Sequence, residues 1–183
     1  MVGPLNEKEQ SVKPSEDAPA RRALVVTVSD RVAAGTRADQ SGDWLAERLT
    51  QLGFGVDRAL VPDEVPLIKA RLERSDGYAL VITTGGTGLT PRDVTPQATR
   101  PVLDYEVPGL AELMRSYGAR STPNSYLSRS VVGVRKGCLI VNMPGSRGGA
   151  LDSLTALEPV LEHALTSLAG PFDHDAKGAP SRS

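Results

Sequence analysis

The chain reads as an α/β protein, a three-layer domain with a mostly parallel sheet flanked by helices, and three observations lead there. Short apolar runs rich in β-branched residues alternate with stretches of helical period, polar or glycine-rich turns follow the runs, and no repeat or low-complexity segment interrupts the core. Alternation of this kind lays the strands side by side and parallel, with helices burying both faces.

In order, Ala23–Ser29 (ALVVTVS) predicts a buried strand, and 43–52 a helix with Trp44, Leu45, Leu49 and Leu52 on one face. Gly55–Val61 predicts a second strand, interrupted by Asp57 and Arg58, and Pro66–Glu73 a short helix with Ile68 and Leu72 one turn apart. Tyr78–Thr83 (YALVIT) is the third strand and runs into Gly85-Gly86-Thr87-Gly88. Helices are expected over 96–102 and 110–117, and a strand pair over 131–134 and 139–142 joined through Lys136-Gly137. A last helix over 150–168 carries Leu151, Leu154, Leu157, Leu161, Leu165 and Leu168 as its apolar stripe. Pro159 lacks an amide donor and should kink or restart that helix.

A length of 183 residues suits one domain with a sizeable core. With 21 Lys+Arg against 22 Asp+Glu and no basic block, the charge pattern argues against nucleic-acid binding. The one cysteine, Cys138, excludes an internal disulfide. It joins the lack of a secretory pattern, and of any run near the ~18 apolar residues of a spanning helix, in predicting a cytoplasmic protein with no membrane attachment. Two histidines and one cysteine, far apart in sequence, argue against structural zinc. Residues 1–20 and 171–183 show no apolar period and are expected to be mobile N- and C-terminal tails around a domain of residues 21–170. Deleting residues 1–20 should therefore shift the melting temperature by less than about 5 °C.

The polar residues are informative by position. Ser29 and Asp30 close the first strand, Pro62 and Asp63 the second, the TTGGTG of 83–88 the third, and Asn142-Met143-Pro144-Gly145-Ser146 the last. Ligands of open parallel sheets sit beyond the carboxyl ends of the strands, so these four ends mark one site. The glycines let backbone amides approach an anion, although a tight turn would use them equally well. Neither a Walker Gly-Lys-Ser/Thr nor a G-x-G-x-x-G follows. Thr95 reads as an N-cap with Pro96 at the first helical position. Asp93, beside the glycine loop, would either hold Mg²⁺ against phosphates or form an Asx turn. Asp63 either caps the next helix or faces a ligand, and Asp30 is a turn former or a ligand. Asp39-Gln40-Ser41-Gly42 is a cap or an oxyanion-binding turn. Arg129 and Lys136 read as solvated charges, with neutralisation of a phosphate as the alternative for either, and His163 and Cys138 as structural residues.

Eight motifs carry a resemblance: Val28-Ser29-Asp30-Arg31, Asp39-Gln40-Ser41-Gly42, Val61-Pro62-Asp63-Glu64, TTGGTG at 83–88, PRDVTP at 91–96, Glu106-Val107-Pro108-Gly109, Leu127-Ser128-Arg129-Ser130 and Asn142-Met143-Pro144-Gly145. Together, over about residues 23–170, they resemble the MogA/MoaB family of molybdenum-cofactor biosynthesis, which includes domains of gephyrin and plant Cnx proteins. The resemblance implies a homotrimer or hexamer that works beside other molybdenum-cofactor pathway proteins. It also implies adenylylation of molybdopterin from ATP with Mg²⁺, releasing pyrophosphate. It makes Asp63 and Asp93 the catalytic residues and the Mg²⁺ ligands. With the strand-end argument, it puts Ser29, Asp30, Thr83, Gly85, Gly86, Thr87, Gly88, Ser128, Asn142, Pro144, Gly145 and Ser146 against molybdopterin. The chain departs at Ser146-Arg147-Gly148-Gly149, where relatives often carry a small residue and then proline. Three alternatives stand beside this reading: a non-catalytic MoaB-type molybdopterin-binding protein, a scaffold module, and a pterin carbinolamine dehydratase. The dehydratase is disfavoured because such chemistry typically needs positioned histidines, and only His163 and His174 are present.

Overall fold

The computed structural model describes residues 21–170, so the two expected tails, 1–20 and 171–183, lie outside the described residues. Arg22–Val28 (β1), Gly55–Val61 (β2), Leu80–Thr84 (β3), Tyr105–Glu106 (β4), Val132–Arg135 (β5) and Cys138–Met143 (β6) form one six-stranded sheet ordered β2-β1-β3-β6-β5-β4. The first four in that order run parallel, whereas β5 is antiparallel to β6 and β4 to β5. The mostly parallel expectation holds. The reversal at one side follows from the Lys136-Gly137 turn, whose φ values of 47° and 78° suit the two-residue hairpins that join antiparallel strands. β4 was not anticipated, because two residues leave no readable period.

Successive side chains of β1 point to opposite faces. Ala23 and Val25 enter a core shared with Gln40–Gln51 (α2), Pro108–Gly118 (α5) and Arg147–Ala169 (α6). Leu24, Val26 and Val28 enter a second core with Val65–Glu73 (α3) and Thr95–Thr99 (α4). Burial on both faces explains why the central strands read as unbroken apolar runs. Asp57 and Arg58 interrupt β2 because β2 is an edge strand; they pair with Arg22 at 2.5 Å and Asp39 at 2.6 Å.

α6 begins at Arg147, three residues earlier than its apolar stripe predicts, because Ser146 caps it by accepting the Gly149 amide at 3.1 Å. The helix runs 23 residues and does not restart at Pro159. Leu154, Leu157, Leu161 and Leu165 seat the turns on both sides of the exposed proline in one core. Leu151 is a correction to the stripe, being 40% exposed. Leu154→Ala should cost about 2–5 kcal/mol, read as a lower urea midpoint. Among the described residues no helix is long and apolar enough to cross a membrane.

The chain places β2 on one side of β1 and β3 on the other. The connections leaving β1 and β3 therefore diverge, opening a crevice beyond their carboxyl ends.

Candidate functional site

That crevice is a cleft of about 390 Å³, reached by the turns after all four parallel strands. Ser29 caps the single turn Asp30–Ala33 (α1) by accepting the Val32 amide at 3.3 Å. Asp30 and Asp63 clasp each other through backbone: Asp30 Oδ1 accepts the Asp63 amide at 3.0 Å, and Asp63 Oδ2 accepts the Asp30 amide at 2.9 Å. Asp63 therefore does not cap α3, whose N-cap is Glu64 with no side-chain bond. Arg92 forks onto Asp30 with bonds of 2.7–2.9 Å. The Asp63 amide, followed by Arg92, holds the Asp30 carboxyl below its ordinary pKa. Asp63 moves the other way. Burial pushes its carboxyl up, and the charges of Asp30 and Asp93 add to that against the opposing Asp30 amide and Arg92.

The glycine loop joins this cleft to a second one. Gly85 and Gly86 have φ of +110° and +64°, backbone that glycine adopts at little cost. The Gly85 amide donates to the Met143 carbonyl at 3.0 Å, and Thr95 Oγ1 donates to the Gly85 carbonyl at 2.8 Å. Thr95 is thus a buried strut and not the N-cap of α4, a position held by Val94. Arg129 corrects a second expectation. Its amide donates to the Thr87 carbonyl at 2.9 Å, its Nε to the Gly88 carbonyl at 2.7 Å, and its guanidinium to the Asp93 carbonyl. It grips the loop instead of standing in solvent. Asp93 Oδ2 accepts both the amide and the hydroxyl of Thr90, at 2.8 and 2.6 Å. Burial opposes its ionisation, but Thr90, the Gly88 amide and Arg129 outweigh it and leave the carboxyl below its usual pKa.

The second cleft, about 580 Å³, shares Gly86, Asp93, Gly145 and Ser146 with the first. Its own walls include Thr87, Gly88, Ser128 and Pro144. Ser128 Oγ lies 2.8 Å from Ser130 Oγ, and the Pro144 carbonyl accepts Thr84 Oγ1 at 2.9 Å. Gly85, Ser29, Asp30 and Asp63 line the first cleft only. Thr83 and Asn142 line neither, which corrects their placement against a ligand. Both are fully buried, and Asn142 Nδ2 donates to Thr83 Oγ1 and Thr99 Oγ1 at 3.0 Å each, tying β6 to β3 and α4. Asp39 resolves as the cap of α2, since it takes the Gly42 amide at 3.0 Å that an oxyanion would need.

Sequence reasoning gives no role to Arg31 or Arg37 and reads Arg147 as a charge that replaces rigidity at the entrance to the last helix. All three line the first cleft and make no salt bridge among the described residues. No local pattern distinguishes them from other surface arginines. His163 is exposed on α6, His174 lies outside the described residues, and neither cleft has a histidine in its walls. Among the described residues no three carboxylate, histidine or cysteine groups cluster for a metal. Asp63 and Asp93 still suit Mg²⁺, which at phosphate sites is commonly held by one or two carboxylates, water and substrate oxygens. Burial is the main cause of the upward shift of Asp63, with the Asp30 and Asp93 charges adding to it, and a bound cation would oppose both. The first cleft suits a polyphosphate, the second a neutral hydrogen-bonding heterocycle, and their reacting ends would meet at the shared residues.

A family model described as "Probable molybdopterin binding domain" matches residues 24–163. The chain is 40% identical over 141 residues to the molybdopterin adenylyltransferase of Haemophilus influenzae, covering 73% of this chain and 71% of that protein. It is 39% identical over 159 residues to the molybdenum cofactor biosynthesis bifunctional protein of Synechococcus elongatus, covering 85% of this chain but about half the length of that relative (50%). Among solved structures, the molybdopterin biosynthesis enzyme MoaB of Thermus thermophilus aligns with a TM-score of 0.74 at 49% identity, covering 82% of this chain and 98% of that one.

Proposed function

Because this chain belongs to the molybdopterin-binding family of molybdenum-cofactor biosynthesis proteins, we propose that it binds molybdopterin and ATP and transfers AMP to the molybdopterin phosphate, releasing pyrophosphate. One observation carries the reading: two clefts of contrasting chemistry meet at Gly86, Asp93, Gly145 and Ser146. ATP lies with its phosphates in the first cleft, toward Arg31, Arg37 and Arg147. Molybdopterin lies in the second with its phosphate at the junction. An oxygen of that phosphate attacks the α-phosphorus of ATP, the bond from the α-phosphorus to its bridging oxygen breaks, and pyrophosphate leaves.

The nucleophile is ionised at neutral pH, so no general base is required. The protein's task is to align anions that repel each other and to neutralise charge as it builds. The Gly86 and Thr87 amides, which the loop does not spend on the Met143 carbonyl or on Asp93, serve the molybdopterin phosphate, and the Arg92–Asp30 pair orients Asp63 through the Asp30 backbone. Mg²⁺, held by Asp63 and Asp93, would supply charge neutralisation across the phosphates.

The two-cleft assignment predicts a ternary complex. Molybdopterin titrated into protein saturated with α,β-methylene-ATP should bind without displacing the nucleotide. Mutual displacement in that calorimetric titration would contradict the assignment. We also assign the chain a homotrimeric or hexameric state and contacts with other pathway proteins. Exposed Leu89, Tyr126 and Leu127 offer apolar surface to such contacts, and sedimentation of the purified protein measures the assembly. The reaction would run in the cytoplasm, a compartment that suits a buried, unbridged Cys138.

A further inference from the structure

The second cleft contains a charged group that AMP transfer does not use. Its lining has two ionisable side chains, Asp93 at the shared end and Asp152 on α6. The remaining polar groups there are neutral, among them Ser121, Thr122, Asn124 and Ser125. Other aspartates around the two clefts are engaged: Asp30 by Arg92, Asp39 by Arg58, Asp63 by the Asp30 amide and Asp93 by Thr90. Asp152 is half-buried and has no hydrogen bond or salt bridge among the described residues.

A half-buried carboxylate lining a cleft without a partner leaves its acceptor lone pairs free for a ligand's donors. Its place along α6 matters as well. It lies six positions after Ser146 at the junction, which at 1.5 Å per residue is about 9 Å along the helix. That is the scale of a fused bicyclic ring whose phosphate-bearing arm reaches the junction. Gly118 keeps the space open, since a Cβ there would crowd Ser125 Oγ and come within 3.9 Å of Asp152 Cβ.

Hydroxyl and amide walls adapt to many heterocycles. A carboxylate is more selective, because it binds best where two N–H donors sit side by side. The pyrimidine ring of a pterin presents that pair on one edge, the ring N3–H and the exocyclic 2-amino group. We infer that Asp152 accepts both donors and is the residue by which the second cleft distinguishes a pterin from other fused heterocycles. This inference rests on the molybdopterin reading given above.

The test uses molybdopterin, with free 6-hydroxymethylpterin and 6-hydroxymethyl-lumazine as competitors. Lumazine carries a carbonyl where pterin carries the 2-amino group, so it offers Asp152 one donor and one repelling oxygen. Wild type should prefer the pterin. Asp152→Asn, nearly identical in shape, turns one acceptor into a donor; it should weaken molybdopterin binding by about tenfold or more and reverse the preference toward lumazine. Affinity for α,β-methylene-ATP, measured on the same samples, should not change. Equal molybdopterin affinity in wild type and Asp152→Asn would overturn the inference, as would a wild type indifferent to the 2-amino group. The second comparison needs no variant and can overturn the inference even if Asp152→Asn melts. A wild type that binds molybdopterin with this preference but transfers no AMP would defeat the proposed reaction and leave the Asp152 assignment standing. A wild type that binds no molybdopterin would defeat both.

Discussion

Gly85→Ala is expected to abolish turnover and to lower stability by about 3 kcal/mol or more. Two independent obstacles act on the same atom. A φ of +110° is poorly accessible to any residue with a Cβ, and that Cβ would be driven into the Val28 carbonyl oxygen. The obstructing atom is backbone at the end of β1, so it cannot swing aside as a side chain would. The loop cannot retreat either, because Met143 and Thr95 hold Gly85 from both ends of its peptide. For a domain of this size the loss corresponds to a fall of roughly 6–12 °C in melting temperature. Gly86→Ala is the milder companion. Its φ of +64° is strained for alanine by about 1–2 kcal/mol. Its Cβ would displace Thr95 Oγ1, a side-chain atom, and lie 3.1 Å from Asp63 Oδ1. Thermal melting beside molybdopterin calorimetry separates the two. A Gly85→Ala protein that melts with wild type would show that the loop is not braced as described.

Asp63→Asn and Asp93→Asn should each lower turnover by about a hundredfold or more, yet move stability in opposite directions. Asp63 has a raised carboxyl pKa, chiefly from burial. Its contribution to stability is present at low pH and declines as pH rises through that raised value. Removing its charge at neutral pH should leave the metal-free protein as stable as wild type or more so, and asparagine can still accept the Asp30 amide. Asp93 has a lowered pKa: burial is outweighed by Thr90, Gly88 and Arg129. Its contribution is present above the ordinary carboxylate range and is lost as pH falls through the lowered value. Asp93→Asn should therefore melt below wild type at neutral pH, with the gap closing in acid. Melting curves across pH on the two variants check the signs. If both fell together, the carboxylates would be structural partners of equal kind and the Asp63 argument would fail.

The central strands were legible because burial on both faces wrote them as unbroken apolar runs, and the carboxyl-end rule then pointed to the edge where the first cleft opens. Position alone left Asp30, Asp63, Asp93 and the glycine loop with two readings each, turn or cap against ligand, and the family resemblance chose between them. What escaped were contacts between segments distant in sequence. Thr95 looks like a cap from its neighbours, but its hydroxyl is used ten residues back, on Gly85. Arg129 reaches 41 residues back to Gly88 and so resembled any solvated arginine. Thr83 and Asn142 sit at the right strand ends yet on buried side-chain positions, a distinction that depends on which way each pleat faces. The early start of α6 was hidden because Arg147-Gly148-Gly149 has poor helix propensity, and the Ser146 cap supplies what those residues lack.

The most direct test of AMP transfer is the fate of isotopic label when purified protein is incubated with molybdopterin, Mg²⁺ and ATP. With label on the α-phosphate, the account predicts that it appears in a molybdopterin product heavier by one adenylyl group, alongside an equal amount of unlabelled pyrophosphate. With label on the γ-phosphate, all of it should leave as pyrophosphate. Molybdopterin recovered unchanged while bound to the protein would contradict transfer and support a protein that only holds the pterin, and γ-label on the pterin would mean that phosphoryl rather than adenylyl transfer is its reaction.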